Sequence, residues 1–162
     1  MLYEYKLDTQ KEIAYARKWA YGRNPEFYSF DYLGGDCTNF ISQCLYAGGA
    51  VMNYTKDTGW YYISLNNRAA AWTGVEFLYR FLVKNKSVGP FGYETALYNA
   101  AVGDIIQLGN AQRFYHSLLV ISRQSGIIYV AAHTNDTYGR PLYLYGYERA
   151  RCIHIEGARK WA

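Results

Sequence analysis

Gly35-Asp36-Cys37-Thr38-Asn39-Phe40-Ile41 puts a cysteine at the start of an amphipathic stretch, directly after an acidic residue. A thiol at a helix N-terminus is biased towards thiolate, because the first N–H groups and the helix dipole favour negative charge. His116 opens a later apolar stretch and offers a proton acceptor for that sulfur. Together the two groups can attack an acyl carbon, with His116 taking the thiol proton and returning it to a leaving amine. The backbone N–H of Cys37 has no helix partner and can donate to the developing oxyanion. Tyr28 and Tyr32 are candidates for a second donor by proximity in sequence alone.

A third residue must fix the imidazole of His116. If the turn after the His116 strand centres between Gln124 and Ser125, His116 faces His133, with Cβ atoms about 5 Å apart. A small shift of register brings Asn135 opposite instead. His133 and Asn135 share a strand face, so the orienting residue is expected to be one of them, with His133 preferred. A zinc site built from Cys37, His116 and His133 is a weaker alternative, because no short ligand spacing accompanies it. Cys44, Cys152 and His154 read as structural.

The elements that must carry these residues are partly readable. Thr9 and Glu12 form a capping-box pattern, which predicts a helix from about 9 to 21. Residues 23–36 read as an aromatic loop, with Gly34-Gly35 turning the chain into a helix over 37–47 that Asp36 caps. Residues 50–71 have no clear period and read as a functional loop. Thr73 and Glu76 repeat the capping pattern and predict a helix over 73–85, with Val75, Leu78, Tyr79 and Leu82 buried. Strands are expected at 105–108, 116–122, 127–133 and 150–155, and through the alternation of Tyr143, Tyr145 and Tyr147 with Leu142, Leu144 and Gly146. Helices first and antiparallel strands second is an α+β pattern in a single domain spanning 1–162.

Composition narrows the function classes. The net charge is +4, from 17 basic and 13 acidic side chains that are scattered, which argues against nucleic acid as a partner. Three cysteines with no paired spacing do not form a disulfide framework. Aromatic residues reach 19%, including nineteen tyrosines. Tyrosine suits a cleft for partly polar ligands as well as β-strands. The aromatic segments 26–32 and 60–62 are therefore expected to wall a cleft. No membrane-length apolar run is present, so no membrane partner is expected, and Met1–Lys11 lacks the apolar core of a signal peptide. The expected location is cytoplasmic by default, or secreted or wall-associated if the chain is exported by another route or is a fragment.

The run from Gly34 to Gly49, with Asp36-Cys37-Thr38-Asn39-Phe40 at its centre, closely resembles the signature of the putative amidase domain family of Gram-positive bacteria. The resemblance takes in Ala14-Tyr15-Ala16 with Trp19, Trp72-Thr73, Leu78 to Leu82, Gly103-Asp104, His116-Ser117-Leu118 and His133-Thr134-Asn135-Asp136. It implies a papain-like cysteine hydrolase fold related to CHAP and NlpC-type cell-wall hydrolases, with N-terminal helices packed on a C-terminal antiparallel sheet. It implies Cys37 as nucleophile, His116 as base and His133 or Asn135 as the third residue, with no cofactor. The implied activity is that of a cysteine amidase or peptidase on a peptide or N-acyl amide, with bacterial peptidoglycan the leading candidate. The chain departs from papain in having Asp31 where a glutamine helps form the oxyanion hole, and it shows no wall-binding module. The rivals are a catalytically silent peptide- or glycan-binding module on the same fold, and an acyltransferase using the same thioester.

Overall fold

The computed structural model describes residues 1–162. An antiparallel sheet of seven strands carries four helices on one face. In chain order the elements are β1 (Leu2–Tyr5), α1 (Thr9–Trp19), α2 (Cys37–Ala47), a small hairpin of β2 (Tyr62–Ser64) and β3 (Asn67–Arg68), α3 (Ala70–Thr73) and α4 (Val75–Lys84). Then come β4 (Gly89–Thr95), β5 (Ile105–Gly109), β6 (Phe114–Gln124), β7 (Ile127–Ala132), β8 (Thr137–Pro141) and β9 (Arg149–Trp161). The sheet runs β1-β9-β5-β6-β7-β8, and β4 pairs with β9. No helix is long and apolar enough to cross a membrane.

Strand alternation sorts the side chains into two cores. Ile105, Leu119, Ile121, Ala131 and Ile153 face the helices and meet Phe40, Ile41, Leu45, Leu78 and Leu82. Ile106, Leu108, Leu118, Val120, Val130 and Cys152 point the other way, where Ala100 and Leu142 cover them. Leu142 belongs to a 3-10 turn over Leu142–Leu144. The strand expected from the Tyr143–Tyr147 alternation is therefore absent: Leu142 docks on the outer face and Tyr143 stays exposed.

The helix expected at 37–47 forms with those bounds, and Cys44 lies in its core-facing stripe. The helix expected at 73–85 is divided. Thr73 ends α3, Gly74 breaks the chain and α4 starts at Val75. Leu78, Phe81 and Leu82 are its buried residues, so Phe81 takes a core place expected for Val75 or Tyr79. The aromatic segment at 60–62 serves the core rather than a cleft. Trp60 is fully buried against Trp72, and its indole N–H donates to Ser42 Oγ at 3.0 Å. Tyr62 packs on Phe27 and Trp72.

Helix α1 also departs from its expected cap. Asp8 Oδ1 accepts from the N–H groups of Gln10 and Lys11, at 3.0 and 3.2 Å, which leaves no capping role for Thr9 and Glu12. Glu12 turns inward and is 1% exposed. It lies so close to Gly48 that a Cβ there would stand 2.6 Å from Glu12 Cγ. Its Oε2 has no hydrogen-bond partner. Burial, followed by the charges of Asp104 and Asp8, pushes the Glu12 carboxyl up to about 8. A free glutamate ionises near pH 4.3, so Glu12 stabilises the fold at low pH, and this contribution is lost as pH rises through about 8. Glu12→Gln keeps the shape and removes the titration. Its Tm advantage over the parent should grow by about 3 °C or more between pH 5 and pH 9. A difference that is flat with pH contradicts this reading.

Candidate active site

Gly34 and Gly35 both take positive φ, 89° and 98°, a region closed to most side chains. They swing the chain into Asp36 and the first turn of α2. Asp36 was expected to cap that helix with its side chain, but it does not. Its carboxylate turns into the protein, 1% exposed, and takes three hydrogen-bond partners, with Arg23 Nε 3.7 Å from Oδ2 as an ion pair. Oδ1 accepts from the Phe30 N–H at 2.8 Å and from Asn39 Nδ2 at 2.9 Å. Oδ2 meets His133 Nδ1 at 2.5 Å. No side chain caps the start of α2, so Asp36 leaves the first-turn N–H groups beside Cys37 untouched.

Every polar residue in the first turns of α2 has a fixed partner. Asn39 donates to the Tyr28 carbonyl at 3.0 Å and accepts from the Trp72 indole at 2.9 Å. Thr38 Oγ1 and Ser117 Oγ share a hydrogen bond of 2.9 Å. Ser117 Oγ accepts from Gln107 Nε2 at 3.2 Å, and Gln107 Oε1 accepts from Arg151 Nε at 2.9 Å. This polar chain pins the head of α2 to β6 at the residue beside His116. Cys37 Sγ lies 4.0 Å from the Tyr115 carbonyl oxygen.

Cys37 and His116 line one open cleft of about 700 Å³. Gly34, Gly35, Tyr115, the turn 134–137, Leu144, Tyr145 and Gly146 also line it. The His116 ring lies 6.0 Å from that of Tyr145. Neither Tyr28 nor Tyr32 lines this cleft, and neither do residues 26–32 or 60–62. The expected aromatic walls are replaced by Tyr115 and Tyr145. Tyr145 follows the 3-10 turn over Leu142–Leu144 rather than sitting in a strand, and it lines the cleft from there.

His133 does not stand beside His116. The strands pair with Leu119 opposite Ala131 and Val120 opposite Val130, after a turn at Ser125-Gly126 and an irregularity between Val120 and Ser122. This is one residue away from the register that opposes His116 and His133, and a slip of one reverses faces. Ser117, Leu119, Ala131 and His133 therefore look towards the helices, while His116 follows Leu118 and Val120 on the other side. His133 stacks on Phe40 with ring centres 4.0 Å apart. Both its ring nitrogens are occupied, Nδ1 by Asp36 and Nε2 by the Trp19 carbonyl at 2.8 Å.

Asn135 does reach the cleft of Cys37 and His116. Thr134 and Asn135 form the tip of the β7–β8 turn, with φ of 67° and 55°. Left-handed backbone is ordinary for asparagine and strained for β-branched threonine. Arg23 latches this turn to the cysteine loop, bonding both carboxylate oxygens of Asp136 at 3.1 and 3.0 Å and those of Asp31 at 2.9 Å. Cys37, His116 and His133 are not gathered as metal ligands, and no other group of three His, Cys, Asp or Glu side chains is. His154 lies away from the cleft and bonds Asp104 at 2.9 Å.

The electrostatics run against a resting thiolate. Burial raises the Cys37 thiol, and Asp36 adds to the rise, over the lowering influence of Ser117 and Thr38. Burial also lowers His116 to about 4. Both groups rest neutral at pH 7, so the helix N-terminus does not dominate as the sequence suggested. Cys44 and Cys152 are raised too, Cys152 to about 12, again chiefly by burial.

Residues 6–155 match the family described as Putative amidase domain. The chain belongs to this family. The uncharacterized protein YhbB of Bacillus subtilis (strain 168) is 30% identical over 142 residues, which cover 82% of this chain and 43% of that protein. The chain thus spans less than half the length of this relative. No solved structure matches. Membership points to hydrolysis of an amide bond and leaves the substrate open.

The two candidates for the third residue, His133 and Asn135, should separate experimentally. His133→Ala strips a buried carboxylate of its partner and empties the space on Phe40, at a cost of about 3 kcal/mol or a Tm loss of about 6–12 °C. Asn135→Gly keeps the left-handed backbone and should shift Tm by less than about 2 °C. Parent-like melting of His133→Ala would contradict the structural role assigned to that ring.

Proposed function

We propose that the chain is a cysteine amidase or peptidase of papain-like type that cleaves a peptide or N-acyl amide through a thioester. The observation that carries this reading is the shared cleft of Cys37, at an uncapped helix start, and His116. His116 accepts the Cys37 proton as sulfur attacks the acyl carbon, since both groups start neutral. The Cys37 N–H donates to the oxyanion. The carbon–nitrogen bond then breaks and His116 passes its proton to the leaving amine. Water, activated by the same imidazole, hydrolyses the thioester and restores the thiol. Asn135 is the residue we assign to orienting His116, because it lines the cleft and His133 is committed elsewhere.

Kinship with CHAP and NlpC-type enzymes and action on bacterial cell-wall peptide are part of this proposal. They rest on the resemblance of the Gly34–Gly49 and His116–Leu118 motifs. The site of action would then be secreted or wall-associated rather than cytoplasmic.

The test is to incubate the protein with bacterial peptidoglycan and with peptide p-nitroanilides, and to read new amine and acid termini by mass spectrometry. The parent should release both. Cys37→Ala should lose at least about 10³-fold of the rate without loss of stability, and Asn135→Gly should be slower than the parent. The acid limb of kcat/KM should fall near pH 4, where His116 becomes protonated and can no longer accept the thiol proton. Substantial cleavage by Cys37→Ala, or no amide cleaved by the parent, contradicts the proposal. Transfer to an added amine in place of release to water would make the chain an acyltransferase.

A further inference from the structure

We infer that Arg140 selects substrates bearing a carboxylate near the amide to be cleaved, an inference that rests on Cys37 being the nucleophile of this cleft. Apart from His116, the ionic side chains lining the cleft are Asp136 and Arg140. Both oxygens of Asp136 are taken by Arg23. Arg140 takes part in none of the ion pairs of the fold. It is nevertheless held in place. Its Nη2 donates to the Leu144 carbonyl at 3.1 Å, and its guanidinium carbon stands 4.9 Å from the centre of the Tyr145 ring.

A guanidinium fixed through one nitrogen and one face still presents donors to the cleft. Their planar fork matches a carboxylate, and a charge-assisted pair gains strength as substrate displaces water. The acid that shares the cleft, Asp136, has both its oxygens on Arg23 and does not pair with Arg140. A neutral or cationic substrate would leave the guanidinium without a carboxylate partner. The geometry thus favours a peptide or N-acyl amide with a free C-terminal carboxylate or an acidic side chain.

The test uses two matched pairs of chloroacetyl reagents, with adducts on the three cysteines followed by mass spectrometry at pH 8. Chloroacetyl-glycine against chloroacetyl-glycinamide probes a main-chain carboxylate. The chloroacetyl α-amide of glutamic acid against that of glutamine probes a side-chain carboxylate. In at least one pair the acid should alkylate Cys37 about tenfold faster than its amide, and that pair identifies which kind of carboxylate is read. Arg140→Gln should bring the ratio to within about twofold of unity, while Arg80→Gln, outside the cleft, should preserve it. No preference in either pair, or a preference that survives Arg140→Gln, overturns the selectivity and leaves the nucleophile standing. Failure of all four reagents to modify Cys37 ahead of Cys44 and Cys152 overturns the nucleophile and the selectivity with it.

Discussion

A single buried carboxylate holds the candidate active site together. Asp36 is nearly inaccessible, and a charge in that position is costly unless its oxygens are filled. They are filled by the Phe30 N–H, the Asn39 side chain and the His133 ring, which belong to three separate segments. Closing those bonds fixes the aromatic loop, the head of α2 and the β7–β8 turn relative to one another. Cys37 follows Asp36 directly, so its position is set by the same closure. Arg23 reinforces it from outside by joining Asp31 and Asp136.

The chemistry follows from how this frame places the thiol and the imidazole. Burial raises the first and lowers the second, so charge is created at the site only when a substrate arrives. The polar chain from Thr38 through Ser117 and Gln107 to Arg151 supports the arrangement from below. It gives the Cys37 turn and the His116 strand a common anchor. Preorganisation of this kind keeps two reacting groups within one cleft without pairing them in the resting state.

Much of this was legible in the residues. The Gly-Gly-Asp-Cys run marked the turn, the helix and the nucleophile candidate, because glycine freedom and apolar spacing are local properties. Both strands flanking the Ser125-Gly126 turn were legible for the same reason. Their register was not, since it depends on that turn and on the irregularity near Ile121, and a slip of one moved His133 to the opposite face. The alternation of Tyr143–Tyr147 misled because the same spacing also serves a 3-10 turn whose Leu142 docks on a sheet already complete without it. Strands β4 and β8 escaped notice because glycine and proline dilute their β-propensity, and pairing with β9 and β7 supplies what the sequence lacks. The role of Trp60 in the core was hidden inside a segment with no period.

Whether His116 serves the sulfur of Cys37 is read most directly from the rate of Cys37 alkylation by iodoacetamide at pH 7, compared between the parent and His116→Ala. A buried thiol raised above its usual range needs a nearby base to react at that pH. Cys37 should be modified well ahead of Cys44 and Cys152 in the parent, and at least about tenfold more slowly in His116→Ala. Equal rates in the two proteins, at unchanged Tm, would contradict it.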